Sequence, residues 1–325
     1  MRQTFLLAAC GTAIACGAAT VHAASAEDAR SFPNKPLRIL VGPGPDIVGR
    51  LIGQKFTEAW GQQVVVETRP GGGGAIAVEL VAKATPDGYT LLLASAAYTI
   101  NAVLQPAVFG GMTKDFAPVA FCASAPFVLL VHPSVAAKSV QELVALAKAK
   151  PGGLYYASSG NGTPPHIAGE MFKSMAGVNI VHVPYKNAAP ALIDVVGGQV
   201  QMMFAITSIG LPQVQTGKVR GLAVSSAKRT PLAPNLPTIA ESGYAGYEVI
   251  GWNGLLAPAG TPRAVIAKLN AEAMRALAQP ELVQRLQNAF YDAAAPNSPE
   301  QFAAYMKQEI AAFTKVVKET GAKID

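Results

Sequence analysis

The sequence predicts an α/β protein of two lobes. Three observations predict it. Short apolar strand-like runs alternate with helical patterns along the chain. Behind its leader the chain keeps about 300 residues, the length of two ordinary domains. Half of its 325 residues are apolar and only 14% are charged, which gives a sizeable core rather than disorder.

The leader comes first. Arg2 supplies a positive start, Phe5 to Ala19 an apolar stretch, and Val21-His22-Ala23 a small-residue cleavage signal, so residues 1–23 are expected to be a signal peptide. Cleavage falls before Ala24, with a second site after Ala26. The address is outside the cytoplasm, by export. Lipid anchoring at Cys10 or Cys16 is the alternative, but Cys10 has little apolar chain before it and Cys16 lacks a Leu three positions ahead. No later segment reaches the roughly 18 apolar residues of a membrane span. One cysteine then remains, Cys122, read as a lone buried thiol.

Taken in order, Leu37 to Val41 is a strand, and Gly42-Pro43-Gly44-Pro45 a tight loop before Asp46, the expected N-cap of a helix ended by Gly61. Val64-Val65-Val66 is continuous in apolar residues, as a buried parallel strand would be. Arg69-Pro70 and glycines 71–74 follow, then a helix marked by Ile76, Leu80 and Val81, then a strand from Thr90 to Ala94. Phe127 to Val131 is a strand, and Ser139 with Glu142 opens a helix as a capping box.

Tyr155 to Thr163 is a short strand breaking into Ser, Gly, Asn and Thr just ahead of a helix. Such a stretch aims backbone N–H groups at one place, as an anion requires. The alternative is an ordinary connection capped by Thr163. Further strands are expected at Ile180–Val183, Gln201–Phe204 and Gly221–Ser225, with helices near Pro190–Val196 and Leu211–Thr216. An apolar run over Tyr247 to Leu256 precedes two closing helices, capped by Thr261 and by Ser298 with prolines at their first positions.

The chemistry is mostly a matter of exclusion. The glycine run lacks the Lys and Ser/Thr of a phosphate loop and follows the second strand rather than the first, so no nucleotide site is read there. There is no nucleophile elbow, no His-Glu-x-x-His and no paired-cysteine metal motif. His132 and His182 read as structural; His166 opens a helix beside the polar loop, where lining a site and capping are both open. The net charge of +6 is scattered, which argues against a nucleic-acid surface. No cofactor, metal or enzymatic activity is expected. What remains is a set of strand-end loops rich in Gly, Ser, Thr and Asn, suited to holding a small molecule by hydrogen bonds. They are residues 42–46, 70–74, 95–99, 158–163, 185–187 and 205–208.

Several ordered segments carry a resemblance: Arg69-Pro70-Gly71-Gly72-Gly73, Pro86-Asp87-Gly88-Tyr89-Thr90-Leu91-Leu92, Lys114-Asp115-Phe116-Ala117-Pro118-Val119 and Tyr156-Ala157-Ser158-Ser159-Gly160-Asn161-Gly162-Thr163. His182-Val183-Pro184-Tyr185-Lys186, Gly198 to Phe204 and Gly254 to Pro262 continue it. Through them nearly the whole mature chain resembles the Bug (Bordetella uptake gene) family, periplasmic solute receptors of tripartite tricarboxylate transporters. The resemblance implies a two-lobed type II periplasmic-binding-protein fold with two crossover strands, near Phe127–Val131 and Tyr247–Trp252. Lobe I would be residues 24–128 plus 250–325, and lobe II residues 129–249.

It further implies a monomer that closes on a small, anionic carboxylate or related metabolite and docks transiently on a membrane permease. A sensor protein is the alternative partner, and a secreted hydrolase the alternative class. The expected ligand-binding residues are Gly44, Asp46, Gly73, Ser95, Ser159, Gly160, Asn161, Thr163, Tyr185 and Ala205. Two departures from the family stand out. The first loop, 42–45, is shorter than the usual Pro-Phe-Pro-Pro-Gly-Gly-x-x-Asp, and position 205 is Ala where amine-binding members often have Asp. The shorter loop counts against the family's usual water-bridged carboxylate contact, and Ala205 offers no partner to an amine, which together favour an acid without an amine, or an uncharged aromatic or amide compound.

Overall fold

The computed structural model describes residues 31–42, 46–69 and 74–320. The expected signal peptide and the loop positions Gly44 and Gly73 lie outside the described residues.

Three parallel strands begin the sheet: β1 (Leu37–Val41) pairs with both β2 (Val64–Thr68) and β3 (Thr90–Ser95). Helices α1 (Ile47–Trp60) and α2 (Ala75–Ala82) connect them. After α3 (Ala96–Leu104) and the short α4 (Pro106–Phe109) comes β4, which runs from Phe116 to Val131. The second half follows as α5 (Val140–Ala149), β5 (Tyr155–Ser158), α6 (Pro164–Ala176), β6 (Val181–Pro184), α7 (Ala188–Val196), β7 (Met202–Ile206), α8 (Thr207–Gln215) and β8 (Arg220–Val224). Then β9 (Ile250–Pro258) returns to the first half, and α9 (Arg263–Leu277), α10 (Pro280–Asn288), β10 (Asp292–Ala293) and α11 (Pro299–Thr320) end the described chain. The strand order is β2-β1-β3-β9-β4-β7-β5-β6, with β8 and β10 also on β4.

The molecule is two-lobed because β4 changes partners. From Phe116 to Pro126 it pairs with β9; from Phe127 to Val131 it pairs with β7. Each half of the sheet is covered on both faces, as strand alternation requires. Leu37, Ile39 and Val41 face one core with α1 and α9, whereas Leu40, Leu92 and Ala94 face another with α2 and α11. Likewise Phe127, Leu129 and Val131 point to α5 and α6, and Val128 and Leu130 to α7 and α8.

Contacts away from the sheet also join the halves. Phe313 and Val316 of α11 pack with Ile100 of α3 and Ile167 of α6. The turn after α10 reaches across: Phe290, at φ +60°, packs against the second-half core, its carbonyl accepts from the Thr207 hydroxyl at 2.9 Å, and Asp292 accepts from Thr230 at 2.7 Å.

Several expectations shift. The strand expected from Phe127 begins earlier, at Phe116, because the segment ahead pairs with β9, with irregularities at Val119 and Cys122. Its partner begins at Ile250. Val64–Val66 is not buried: β2 is an edge strand, and Val65 is 37% exposed. Ile76 and Leu80 face outward, and Ala77, Val78 and Val81 are the buried side of α2. Three helices, not two, follow β9, and Pro262 rather than Thr261 occupies the N-cap position of the first, which has no side-chain cap, since the Thr261 hydroxyl donates to Pro258 instead. Asp46 does not cap α1; its carboxylate pairs with Arg50 at 2.6 Å, which holds it below the usual carboxylate range. The capping bonds at Ser139 and Ser298 are present, and Cys122 is fully buried, its thiol pushed up to about 12 by burial.

The joint between β9 and α11 depends on Gly254. A Cβ there would lie 2.3 Å from the Phe302 ring and 3.0 Å from the Ala120 carbonyl, with backbone on one side preventing relief. Gly254→Ala is therefore expected to destabilise the fold by roughly 1–3 kcal/mol, read as a lower urea midpoint at unchanged slope.

Candidate functional site

A cavity of about 250 Å³ opens between the halves where β4 changes partners. Helix starts converge on it. Ser95, Ala96 and Ala97 come from the start of α3; Thr163, Pro164 and Pro165 from the start of α6; Ala188 opens α7, and Ile206 immediately precedes α8. The strands β4 and β9 add Phe127, Gly251, Trp252 and Asn253, and Ser95 lies opposite Asn253 in the β3–β9 register. Among these lining residues there is no Lys, Arg, Asp, Glu, His or Cys.

The expected loops at 95–99 and 205–208 are not loops. β3 and β7 pass directly into α3 and α8, which brings the positive helix ends closer to the cavity than a flexible connection would. The side chains of Ser95 and Thr163 do not cap their own helices. Thr163 instead donates its hydroxyl to the Gly160 carbonyl at 2.6 Å, in place of the expected cap.

The loop from Ser158 to Thr163 is braced from behind. Gly160 and Gly162 adopt φ of +123° and +71°, a region that suits glycine. The Ser158 hydroxyl accepts from the Gly160 N–H at 3.1 Å and lies 2.7 Å from Nε2 of His182. The Gly162 N–H donates to Nδ1 of His166 at 3.1 Å, which leaves the His166 proton on Nε2 when the ring is neutral. His166 stacks on His182 at 4.3 Å, and His182 on Tyr156 at 4.7 Å. Tyr156 in turn donates to Glu170, which also accepts from Lys173, both at 2.7 Å. Burial, with His166 and Lys173 adding repulsion, pushes His182 down to about 3.

On the facing wall Tyr98 is 2% exposed, and burial pushes its hydroxyl up to about 12 against a hydrogen bond with the Gly42 backbone. A Cβ on Gly42 would lie 2.1 Å from the Tyr98 oxygen, and one on Gly74 2.2 Å from its ring. Both glycines let the chain close over this tyrosine.

Of the residues expected at a site, Ser95, Ser159 and Thr163 meet at the cavity. Gly160 and Asn161 belong to the same braced loop, whereas Tyr185 donates its hydroxyl to Asp194 at 2.6 Å. Ala205 is fully buried, with Gly210 against its methyl group, and Asp46 is engaged by Arg50 and Thr68. The apolar wall of Leu93, Phe127, Met203, Ile206, Trp252 and Tyr291 carried no site signal in the sequence. These residues lie in or beside strands and read as core. Only the crossover assignment of Phe127 and Trp252 pointed toward the cavity.

A two-lobed α/β fold with an uncharged, helix-ringed cleft between its halves defines a solute-binding protein of the periplasmic type. The family model described as "Tripartite tricarboxylate transporter family receptor" matches residues 48–322. The chain belongs to this receptor family. It is similar to protein BugT of Bordetella pertussis, at 32% identity over the full length of both chains. Among solved structures it is similar to R. palustris Rpa4515 with adipate, at 33% identity and TM-score 0.80, covering 90% of this chain and 100% of that one. It is also similar to MatC (Rpa3494) of Rhodopseudomonas palustris with bound malate, at 31% identity and TM-score 0.75, covering 88% and 100%. Among the described residues no helix is long and apolar enough to cross a membrane.

The burial of His182 makes a checkable statement. Its ring resonances are expected to stay at their neutral positions from about pH 8 down to about pH 4.5 in an NMR titration, where an ordinary histidine would titrate near 6.5. The sign follows: a lowered folded value gives stability that is present above about 6.5 and lost as pH falls toward about 3.

Proposed function

We propose that this chain is a non-enzymatic periplasmic receptor that captures a small carboxylic acid lacking an amine and passes it to a membrane permease. The observation that carries the reading is the cleft: helix starts converge on walls without a charged side chain. Backbone N–H groups and the positive ends of helices hold an anion without a fixed cation. The apolar wall between them suits the aliphatic or aromatic body of such an acid. The adipate and malate of the two R. palustris structures are carboxylates, which supports the same class.

In this proposal residues 1–23 direct export. Residues 24–128 and 250–325 form one lobe, and residues 129–249 the other, closing on the ligand as a monomer. Ser95, Ser159 and Thr163 contact the solute, with Asn253 beside Ser95. Gly160 and Asn161 shape the loop, and Gly44, Gly73 and Asp46 are proposed as further ligand-binding positions. A cationic amino group has no carboxylate to meet on the lining, and Ala205 supplies none. The Ser158–His182 pair does not recommend hydrolysis, because Ser158 is fully buried behind the loop.

Calorimetry and thermal-shift assays on the mature protein with mono- and dicarboxylates test this. Stabilisation by an amine-free acid is expected, and Ser159→Ala, Thr163→Ala and Asn161→Ala should each weaken its binding by roughly 1–3 kcal/mol where the side chain bonds directly. Amino acids binding better than the matching amine-free acids, or no carboxylate binding at all, would overturn the reading.

A further inference from the structure

Helix α11 carries a carboxyl group that the cleft does not use directly. Glu309 is half-buried as a residue, with its carboxyl turned inward under the cavity wall. One oxygen accepts from the Trp252 indole N–H at 2.9 Å and from the Tyr305 hydroxyl at 3.3 Å. The other lies 2.8 Å from the same indole nitrogen and accepts from the Thr99 hydroxyl at 2.5 Å. A single side chain thereby ties α11 to β9 and α3. Both of those elements line the cavity, through Trp252 and through Ala96 and Ala97.

The bond at Thr99 has a second partner. Its hydroxyl oxygen is also 2.9 Å from the Ala96 carbonyl. A hydroxyl has one proton to donate, so Thr99 serves either Glu309 or Ala96. With Glu309 ionised, the Thr99 proton goes to the carboxylate. With Glu309 neutral, the carboxylic acid donates to Thr99, and the hydroxyl proton turns to Ala96. The charge state of Glu309 is thus written into the first turn of α3, at the cavity wall.

We propose that Glu309 is a positioning residue for the solute site, fixing the Trp252 indole and the first turn of α3, and that its charge state sets how tightly an anionic solute is held. This rests on the carboxylate reading above. Burial and the charge of Glu248 favour the neutral form of Glu309, whereas the donors around it favour the carboxylate. Its own helix presents Tyr305, α3 presents Thr99, β9 presents Trp252, and Phe121 of β4 packs edge-on against Tyr305. Glu248, just ahead of β9, adds like charge, while α6 contributes Ile167 and Met171 to the apolar cluster farther along α11. Arg263 of α9 acts on Glu300, at the other end of the helix. Burial, with a smaller contribution from the charge of Glu248, lifts the Glu309 carboxyl to about 7 against the opposing hydrogen bonds from Thr99, Trp252 and Tyr305.

The sign is fixed by like-charge repulsion. An anion in the cleft disfavours ionised Glu309, so anion binding takes up a proton, and by reciprocity affinity falls as pH rises through about 7.

The test uses the chain's two tryptophans, Trp60 and Trp252. Trp60→Phe leaves Trp252 as the sole reporter. Its fluorescence in ligand-free protein should show one transition near pH 7, absent in the added Glu309→Gln variant and moved upward by Thr99→Val, which deletes a bond to the carboxylate. With adipate as probe, affinity measured by calorimetry should fall several-fold between about pH 6 and about pH 8 in the unaltered protein and stay level in Glu309→Gln. The same fluorescence transition in Glu309→Gln, or identical pH profiles of adipate binding, would overturn the proposal. Absence of adipate and malate binding at every pH, with the transition intact, would instead overturn the receptor reading while upholding the hold of Glu309 on Trp252.

Discussion

The structure depends on one strand serving two sheets. β4 spends its first part on β9 and its last part on β7, and among the described residues no other strand forms ladders with both halves. A strand's backbone groups must be paired along its whole buried length. The place where the partner changes, between Pro126 and Phe127, therefore has no sheet neighbour continuing straight across. Proline at this point removes a donor that would otherwise need a partner. The gap that results is the cleft, and Phe127, the first residue after the change, lies on its wall. Fold and site are the same fact at this position.

The second principle is that polarity reaches the cleft through the backbone. A lysine or arginine there would hold a carboxylate more strongly, but it would have to be desolvated, and it would need a counter-charge whenever the cleft stood empty. Helix starts avoid this, since their partial charge is spread over several backbone groups fixed by the fold, although α6 opens with two prolines and its first two positions carry no N–H. The bracing behind them is correspondingly firm. The stacked His182, held neutral by burial, and the packed Tyr98 keep the two walls in place without charge on the cleft side.

Much of this was legible in the sequence, in an uneven way. The alternation of strands and helices, the Ser139 and Ser298 caps and the braced loop at Ser158–Thr163 follow from local rules, and local rules read well from one chain. Val64–Val66 misled because an apolar run reports strand formation but not position in the sheet, and an edge strand can be just as apolar. Ile76 and Leu80 misled for a related reason, since Ala77 and Val81 are small enough to take the buried side of α2 against the sheet. Ser95, Ser159 and Thr163 could be named because polar residues at strand ends are conspicuous. Met203, Ile206 and Tyr291 could not, since an apolar residue facing a cavity looks the same in sequence as one facing a core. Glu309 was invisible for the opposite reason: one acid among several in an amphipathic helix reads as surface until the partners of its carboxyl are known.

The contacts that join the two halves away from the sheet bear on timing. The Phe313–Ile167 cluster and the Thr207 and Thr230 bonds to the Phe290–Asp292 turn all cross between the halves, and opening must slide or break them. In the proposed lobe motion each would add to the barrier for opening. A solute trapped here would have a long residence time set by the protein's own seams as much as by the solute's contacts. The rate of delivery would then belong to whatever membrane partner can loosen those seams, and tight capture and prompt release would be controlled by different surfaces of the molecule.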